Sequence, residues 1–263
     1  MKIGIIGVGM VGGTLRYGFR RLGHEVVCYD PKLTETELAD VLDTQLVFVC
    51  VPTPRALDGG CDTSIVEQVV KALEALEYHG LVVIKSTVLP GTTDQLHIKH
   101  KLALAFCPEF LREKCSYSDF VEHHEVCIIG ACRHNDFELI RLAHGHFPKK
   151  FVKVTPMEAE FCKYFVNVYN ALRINFACQF HDLCKAVGVD YMTVKNAVSH
   201  RSSIGGHYLD CSPSFRGFGG SCLPKDTQAF AKFVHDCNLG DELPMFDRIV
   251  AENVGECREG KLL

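Results

Sequence analysis

The segment Phe215-Arg216-Gly217-Phe218-Gly219-Gly220-Ser221-Cys222-Leu223-Pro224-Lys225-Asp226 brings a thiol, an amine and a carboxylate close together in the chain. Its glycines let the backbone approach a ligand and adopt conformations that other residues avoid. Pro224 suits the first position of a helix, and Thr227-Gln228-Ala229-Phe230-Ala231-Lys232-Phe233-Val234 continues one. Cys222 then stands at a helix N-terminus, where the positive end of the dipole favours thiolate, and Lys225 adds a second cation nearby. A cysteine so placed is a candidate nucleophile. A glycine-rich turn around a buried thiol would carry the same residues, so the case for chemistry depends on partners elsewhere.

The N-terminus supplies one. Lys2-Ile3-Gly4-Ile5-Ile6 is a short apolar strand that runs into Gly7-Val8-Gly9-Met10-Val11-Gly12, and residues 11–21 have helical texture up to Gly23. A second strand, Glu25-Val26-Val27-Cys28-Tyr29, ends at Asp30. Strand, glycine turn, helix and a following acid form the dinucleotide fingerprint. The glycines admit the pyrophosphate, the N-terminus of the following helix, with Met10 and Val11 beside it, holds its charge, and Asp30 accepts from the ribose 2′-hydroxyl. That carboxylate would repel a 2′-phosphate, which favours NAD over NADP.

Other polar candidates also follow strands. Leu46-Val47-Phe48-Val49-Cys50-Val51 leads to Thr53, Leu81-Val82-Val83-Ile84 to Thr87, and Leu102-Ala103-Leu104-Ala105-Phe106 to Glu109 and Glu113. Strands are also expected over 125–130 and 151–154, with helices over 64–76 and 137–144. This alternation predicts an α/β fold with a Rossmann-like, doubly wound, mostly parallel sheet, whose ligands bind beyond the carboxyl ends of the strands. Asp30, Thr53, Thr87, Glu109 and Glu113 would share that edge.

The texture changes at Thr155. Thr155-Pro156-Met157-Glu158 is a capping box with proline at the first helical position. A long helix is expected over 156–187, then helices over 190–199 and from 244 to about Cys257. The expected division is therefore 1–154, a nucleotide-binding domain, and 155–263, an all-α catalytic and dimerisation domain around the long helix. Glu160, Lys163, Asn167 and Asn170 recur at three- and four-residue spacing and so share one helical face. Such a stripe is either a solvated face or one that points Lys163 and Asn167 into a cleft.

Composition excludes several classes. The chain has 263 residues with a net charge of −4 and no long run of one sign, so no nucleic-acid partner is expected. No apolar run reaches transmembrane length, so no membrane partner is expected. With no signal peptide and 14 cysteines, several of them inside apolar patterns, the expectation is reduced thiols in the cytoplasm. There is no Cys-x-x-Cys pair, and His123-His124 and His144-Gly145-His146 lack an evident partner set, so no metal site is expected.

Taken together, these motifs resemble the UDP-glucose 6-dehydrogenases, within the UDP-glucose/GDP-mannose dehydrogenase family. The likeness rests on the glycine fingerprint at 7–12, Val51-Pro52-Thr53-Pro54, Ser86-Thr87-Val88, Pro108-Glu109-Phe110-Leu111-Arg112-Glu113, Ala159-Glu160-Phe161-Cys162-Lys163-Tyr164-Phe165-Val166-Asn167 and the cysteine segment. It implies an NAD-dependent four-electron oxidation of a nucleotide sugar, UDP-glucose to UDP-glucuronate by default, through a thiohemiacetal and then a thioester on Cys222. By resemblance, Lys163 and Asn167 hold the C6 oxyanion, and Asp226, Glu109 and Thr87 act in proton transfer and water activation. Thr53, Thr87, Glu113 and Lys225 match cofactor positions. Phe110, Leu111, Tyr208 and Gly219, with Glu109, Lys163 and Asn167, match positions that hold the sugar nucleotide. A homodimer through the long helix is also implied.

Three departures stand out. Ser203 occupies the place of a family arginine that reaches a neighbouring subunit's sugar, with Arg201 and Arg216 nearby but out of register. The stretch between Asp30 and Leu46 is short for the family. The family pattern continues into a third, nucleotide-closing domain that this sequence lacks, so a short form is expected. Two other functions fit the same residues: a binding module for NAD or a nucleotide sugar without turnover, and a two-electron hydroxyacid dehydrogenase that would leave Cys222 unused.

Overall fold

A computed structural model describes residues 1–33 and 35–256. In chain order the elements are β1 (Lys2–Ile6), α1 (Met10–Arg21), β2 (Glu25–Tyr29), β3 (Leu46–Val49), α2 (Ser64–Ala75), β4 (Leu81–Ile84), α3 (Thr92–Lys99), β5 (Ala103–Phe106), α4 (Ser116–Val121), β6 (Cys127–Gly130), α5 (His134–His144), β7 (Phe151–Val154), α6 (Pro156–Ala186), α7 (Tyr191–Ser199), α8 (Leu223–Asp236) and α9 (Met245–Glu256). The sequence places the last helix to about Cys257, which lies outside the described residues.

The chain divides into two compact units, Met1–Pro54 with Asp62–Lys163, and Arg55–Cys61 with the chain from Tyr164 onward. The sequence texture changes at Thr155, yet this division falls after Lys163, two turns into α6. Those two turns carry first-unit residues: Ala159 is buried among Phe106, Val154 and their neighbours, and the Glu160 carboxylate caps α3.

In the first unit a seven-stranded sheet has the order β2-β1-β3-β4-β5-β6-β7. Pairing is parallel except between β5 and β6, which meet through Phe106 and Gly130. β3 (Leu-Val-Phe-Val) and β4 (Leu-Val-Val-Ile) are buried along their whole length, as strands covered on both faces must be. Alternation sorts their side chains. Leu46 and Phe48 join Leu15, Phe19 and Ile140 on one face, while Val47 and Val49 join Val66, Val70 and Leu73 on the other. Each such side chain contributes about 1.5–3 kcal/mol on burial. The chain turns to opposite sides after β1, so the switch point where ligands bind lies at the end of β1. Among the described residues between β2 and β3 lies a short 3₁₀ turn, Leu38–Val41, in keeping with the shortness of that stretch.

In the second unit, Val168, Ala171, Ile174 and Cys178 of α6 pack with Tyr191, Leu209, Phe218 and Ile249. Asp190 is the cap of α7 rather than its first residue, accepting from Met192 N at 3.3 Å and Thr193 N at 2.9 Å. At the start of α6, Thr155 N donates to Glu158 Oε2 at 2.7 Å and Glu158 N to Thr155 Oγ1 at 3.3 Å, which forms the capping box.

α6 is amphipathic in an inverted sense. Glu160, Lys163, Asn167 and Asn170 are buried, whereas Phe165, Tyr169 and Phe176 are exposed, Phe165 by 73%. Its polar stripe is therefore not a solvated face.

Candidate active site

The first unit presents a dinucleotide cradle at the end of β1. Gly7 has φ +88°, and a Cβ there would meet Cys50 O at 2.7 Å; only glycine fits. A Cβ on Gly12 would lie 1.9 Å from Gly7 O, so α1 passes hard against the turn. A Cβ on Gly9 would meet nothing within 4 Å, so the turn faces open space there. α1 starts with no side-chain cap and no acidic residue in its first turn, so the N–H groups of Met10, Val11 and Gly12 are available to an anion. Asp30 accepts from Val8 N at 2.7 Å through Oδ2 and from Lys32 N at 3.0 Å through Oδ1. These hydrogen bonds hold its carboxyl below the ordinary range. Open glycine backbone, uncapped helix amides and an ionised acid fit a dinucleotide.

Glu109 and Lys163 meet in the same unit. Lys163 Nζ donates to Glu109 O at 2.8 Å and to Glu109 Oε1 at 2.9 Å, and it lies 5.8 Å from the centre of the Phe110 ring. Leu111 N donates to Glu109 Oε2 at 2.7 Å. Burial works against charge on Glu109, but the Lys163 ammonium and these hydrogen bonds hold its carboxyl below the ordinary range. Thr53 is buried, Thr87 half-buried and Glu113 exposed.

Buried polar groups hold this edge in place. Ser86 Oγ donates to Val51 O at 2.6 Å, joining the segments after β3 and β4. Lys85 Nζ donates to Pro108 O at 3.1 Å, anchoring the turn that carries Glu109. Glu160 accepts from Gly91 N at 2.5 Å, Thr93 N at 2.8 Å and Thr93 Oγ1 at 2.6 Å, which secures α6 one turn before Lys163. Burial nonetheless pushes Glu160 up to about 7.

The second unit carries the cysteine segment. α8 begins at Leu223 with Cys222 as its cap, so Pro224 is the second helical residue rather than the first. Cys222 is exposed, and Ser221 Oγ lies 3.5 Å from its sulfur. The buried hydrophobe of the segment is Phe218, not the thiol. One turn into α8, Asp226 is buried, accepting from Asn167 Nδ2 at 2.6 Å and pairing with Lys225 Nζ at 2.6 Å. A Cβ on Gly219 would meet nothing within 4 Å. Tyr208 has φ +63°, and its ring lies 4.9 Å from the Arg173 guanidinium. Arg216 forks onto Asp182 at 2.7 and 2.6 Å, while Arg201 and Ser203 are exposed.

Two supports escape motif reading. Asn253 accepts from Phe218 N at 2.8 Å and donates to Phe218 O at 3.0 Å, clamping the glycine segment from α9. Arg173 stacks on both Tyr169 and Tyr208. Neither lies in a motif, and the fold brings Asn253 to Phe218 and Arg173 to Tyr208.

Residues 32–147 match the NAD binding domain of the UDP-glucose/GDP-mannose dehydrogenase family, and residues 157–253 match that family's central domain. The chain belongs to this family. A GDP-mannose 6-dehydrogenase of Pseudomonas aeruginosa is 28% identical over 98% of this chain and 70% of its own length. A UDP-glucose 6-dehydrogenase of the same organism is 31% identical over 88% and 61%. The structure of a UDP-glucose dehydrogenase from the archaeon Pyrobaculum islandicum superposes with a TM-score of 0.87 at 31% identity, covering 96% of this chain and 67% of that one. The chain thus spans about two thirds of the length of these relatives. NAD is the cofactor of the family domain matched at residues 32–147. Among the described residues, no helix is long and apolar enough to cross a membrane.

Proposed function

We propose that this chain oxidises a nucleotide sugar by four electrons with two NAD, with UDP-glucose as substrate and UDP-glucuronate as product, through covalent chemistry on Cys222. The observation that carries this reading is the exposed Cys222 on the turn that holds the buried Asn167–Asp226–Lys225 network. A binding module has no use for that assembly, and a two-electron hydroxyacid dehydrogenase leaves its cysteine idle.

Gly7, Gly9, Met10, Val11, Gly12 and Asp30, with Thr53, Thr87, Glu113 and Lys225, would hold NAD, which would supply the hydride acceptor. The C6 alcohol loses a hydride and a proton to become an aldehyde. The Cys222 sulfur adds to that carbon to give a thiohemiacetal. Loss of a second hydride and proton leaves a thioester, and water releases the acid and restores the thiol. Asp226 takes the protons, and its hydrogen bond from Asn167 fixes its orientation. Lys163 and the Asn167 amide stabilise the oxyanion at C6. Glu109, held ionised by Lys163, orients the hydrolytic water with Thr87. Phe110, Leu111, Tyr208 and Gly219 line the nucleotide sugar.

The exposed aromatic stripe of α6, Phe165, Tyr169, Phe176 and Phe180, supports a homodimer through that helix. Thiols such as Cys107, Cys127 and Cys222 suit a reducing cytoplasm. Counting NADH formed per sugar, with UDP-glucose and GDP-mannose as separate substrates, tests the reaction. Two NADH with UDP-glucose are expected. One NADH per sugar, or full acid formation by Cys222→Ser, defeats the covalent route, and turnover of GDP-mannose alone reassigns the sugar.

A further inference from the structure

Beneath the turn that carries Glu109, the first unit buries a second group of reactive side chains. Cys107, Cys127 and His144 are 0%, 2% and 0% exposed. Their ligand atoms all lie within 4.8 Å of one another. The two sulfurs are 3.8 Å apart. His144 Nδ1 pairs with Ile140 O at 2.9 Å, an acceptor that requires the proton on Nδ1. Nε2 is thereby left as a lone pair, and it is buried with no hydrogen-bond partner. Metal-bound histidines show this arrangement, with one ring nitrogen tied to a carbonyl and the other free to ligate. His144 lacks thiolate partners in its sequence neighbourhood; the sheet supplies them from the end of β5 and the start of β6.

We propose that Cys107, Cys127 and His144 form a three-coordinate site for a soft monovalent ion, Cu(I). Two sulfurs each about 2.3 Å from one ion, at trigonal to tetrahedral angles, are about 3.8–4.0 Å apart, which matches the observed spacing. Two thiolates and an imidazole suit Cu(I). Zinc takes four ligands in closed sites, and no fourth His, Cys, Asp or Glu joins this cluster among the described residues. Charge points the same way. Lys85, itself 4% exposed, lies with Nζ 3.3 Å from Cys107 Sγ. Two thiolates with Cu(I) carry a net charge of −1, which the Lys85 ammonium cancels. A divalent ion would leave one positive charge uncompensated in the core, at large desolvation cost. Binding replaces the protons on the two sulfurs with the metal, and the copper stays Cu(I), so no oxidant or reductant is consumed.

The test is an anaerobic titration of the full, reduced chain with Cu(I), buffered by a chelator that competes for it. One equivalent is expected to bind well ahead of the remaining thiols, with X-ray absorption reporting two sulfur neighbours and one imidazole nitrogen. Cys127→Ala and His144→Phe should each weaken that equivalent by more than about 100-fold, with circular dichroism confirming the fold. If either variant fails to fold, anomalous scattering at the copper edge from Cu(I)-soaked crystals of the unaltered protein decides. A peak between the three ligand atoms supports the site, and its absence overturns it. An undiminished tight equivalent in the variants, an all-sulfur environment, a Cys107–Cys127 disulfide in protein isolated without reductant, or tighter binding of Zn²⁺ than of Cu(I) likewise overturns the proposal.

Discussion

Cys222 lies exposed at the first turn of α8, with Lys225 three residues further on and its ammonium paired to Asp226. Cys107 lies fully buried after β5, with the Lys85 ammonium 3.3 Å from its sulfur and a second thiol 3.8 Å away. Both are cysteines near a lysine, and access separates them. An exposed sulfur on a glycine-rich turn can meet a substrate carbon. A sulfur sealed among Phe19, Ile129 and Ile140 can meet only what the core admits, such as a bare ion or a proton. The residue pair is therefore no guide to the chemistry until burial is known.

The most severe test of this contrast is Cys222→Ser. It should lower acid formation on the order of 10⁴-fold or more, as loss of a covalent nucleophile does, while NAD still quenches or enhances fluorescence on binding. Steady-state production of UDP-glucuronate at near the native rate would place the chemistry elsewhere. Differential alkylation comes next. Iodoacetamide should label Cys222 at least about 10³-fold faster than Cys107, because reaching Cys107 requires opening a core that stabilises the fold by about 5–15 kcal/mol. Peptide mass mapping measures both rates, and comparable labelling would mean that the burial contrast fails in solution.

A smaller effect is expected one helical turn from Asn167. Lys163→Met should reduce kcat by about 10²–10³-fold. It should also cost about 3–5 kcal/mol of stability, because Glu109 is left as an unpaired buried charge. Adding Glu109→Gln should recover much of that stability without restoring kcat; chemical denaturation and steady-state kinetics separate the two. The mildest effect concerns Glu160, a buried acid with no proposed part in chemistry. Its folded value of about 7 lies above its ordinary 4.5, so the folded chain holds this proton more tightly. Its contribution to stability is full below about pH 4.5 and is lost as pH rises to about 7, by at most about 3 kcal/mol. Glu160→Gln should flatten that slope in urea denaturation across this range. An unchanged slope would assign it to other groups.

Much of the first unit is legible in sequence because its signals are local. Apolar runs bounded by polar residues mark β2, β4 and β7 at their observed limits, and the glycine fingerprint places glycine at 7 and 12, where the fold crowds the backbone. The Thr155 capping box and the length of α6 are likewise local, set by neighbours three and four residues apart. The polar stripe of α6 is different. Spacing shows that Glu160, Lys163, Asn167 and Asn170 share a face, but the direction of that face depends on the partners waiting for it: the donors Gly91 and Thr93 for Glu160, and the acceptors Glu109 for Lys163 and Asp226 for Asn167. The Asn253 clamp is invisible for the same reason, since its partner lies 35 residues away.

Sequence alone determined the order of the strands and most of the helices, though not α3 or α4, together with the dinucleotide fingerprint, the candidate nucleophile and the family. Each rests on residue types within a few positions of one another, where backbone geometry leaves little choice. The tertiary structure alone decided which polar residues are buried and paired, and which cysteines can meet solvent. It also brought two thiols from neighbouring strands to a histidine whose sequence neighbours supply none. Those outcomes depend on contacts between distant segments, and burial, which sets the energy of every charge and thiol, exists only once those segments have packed.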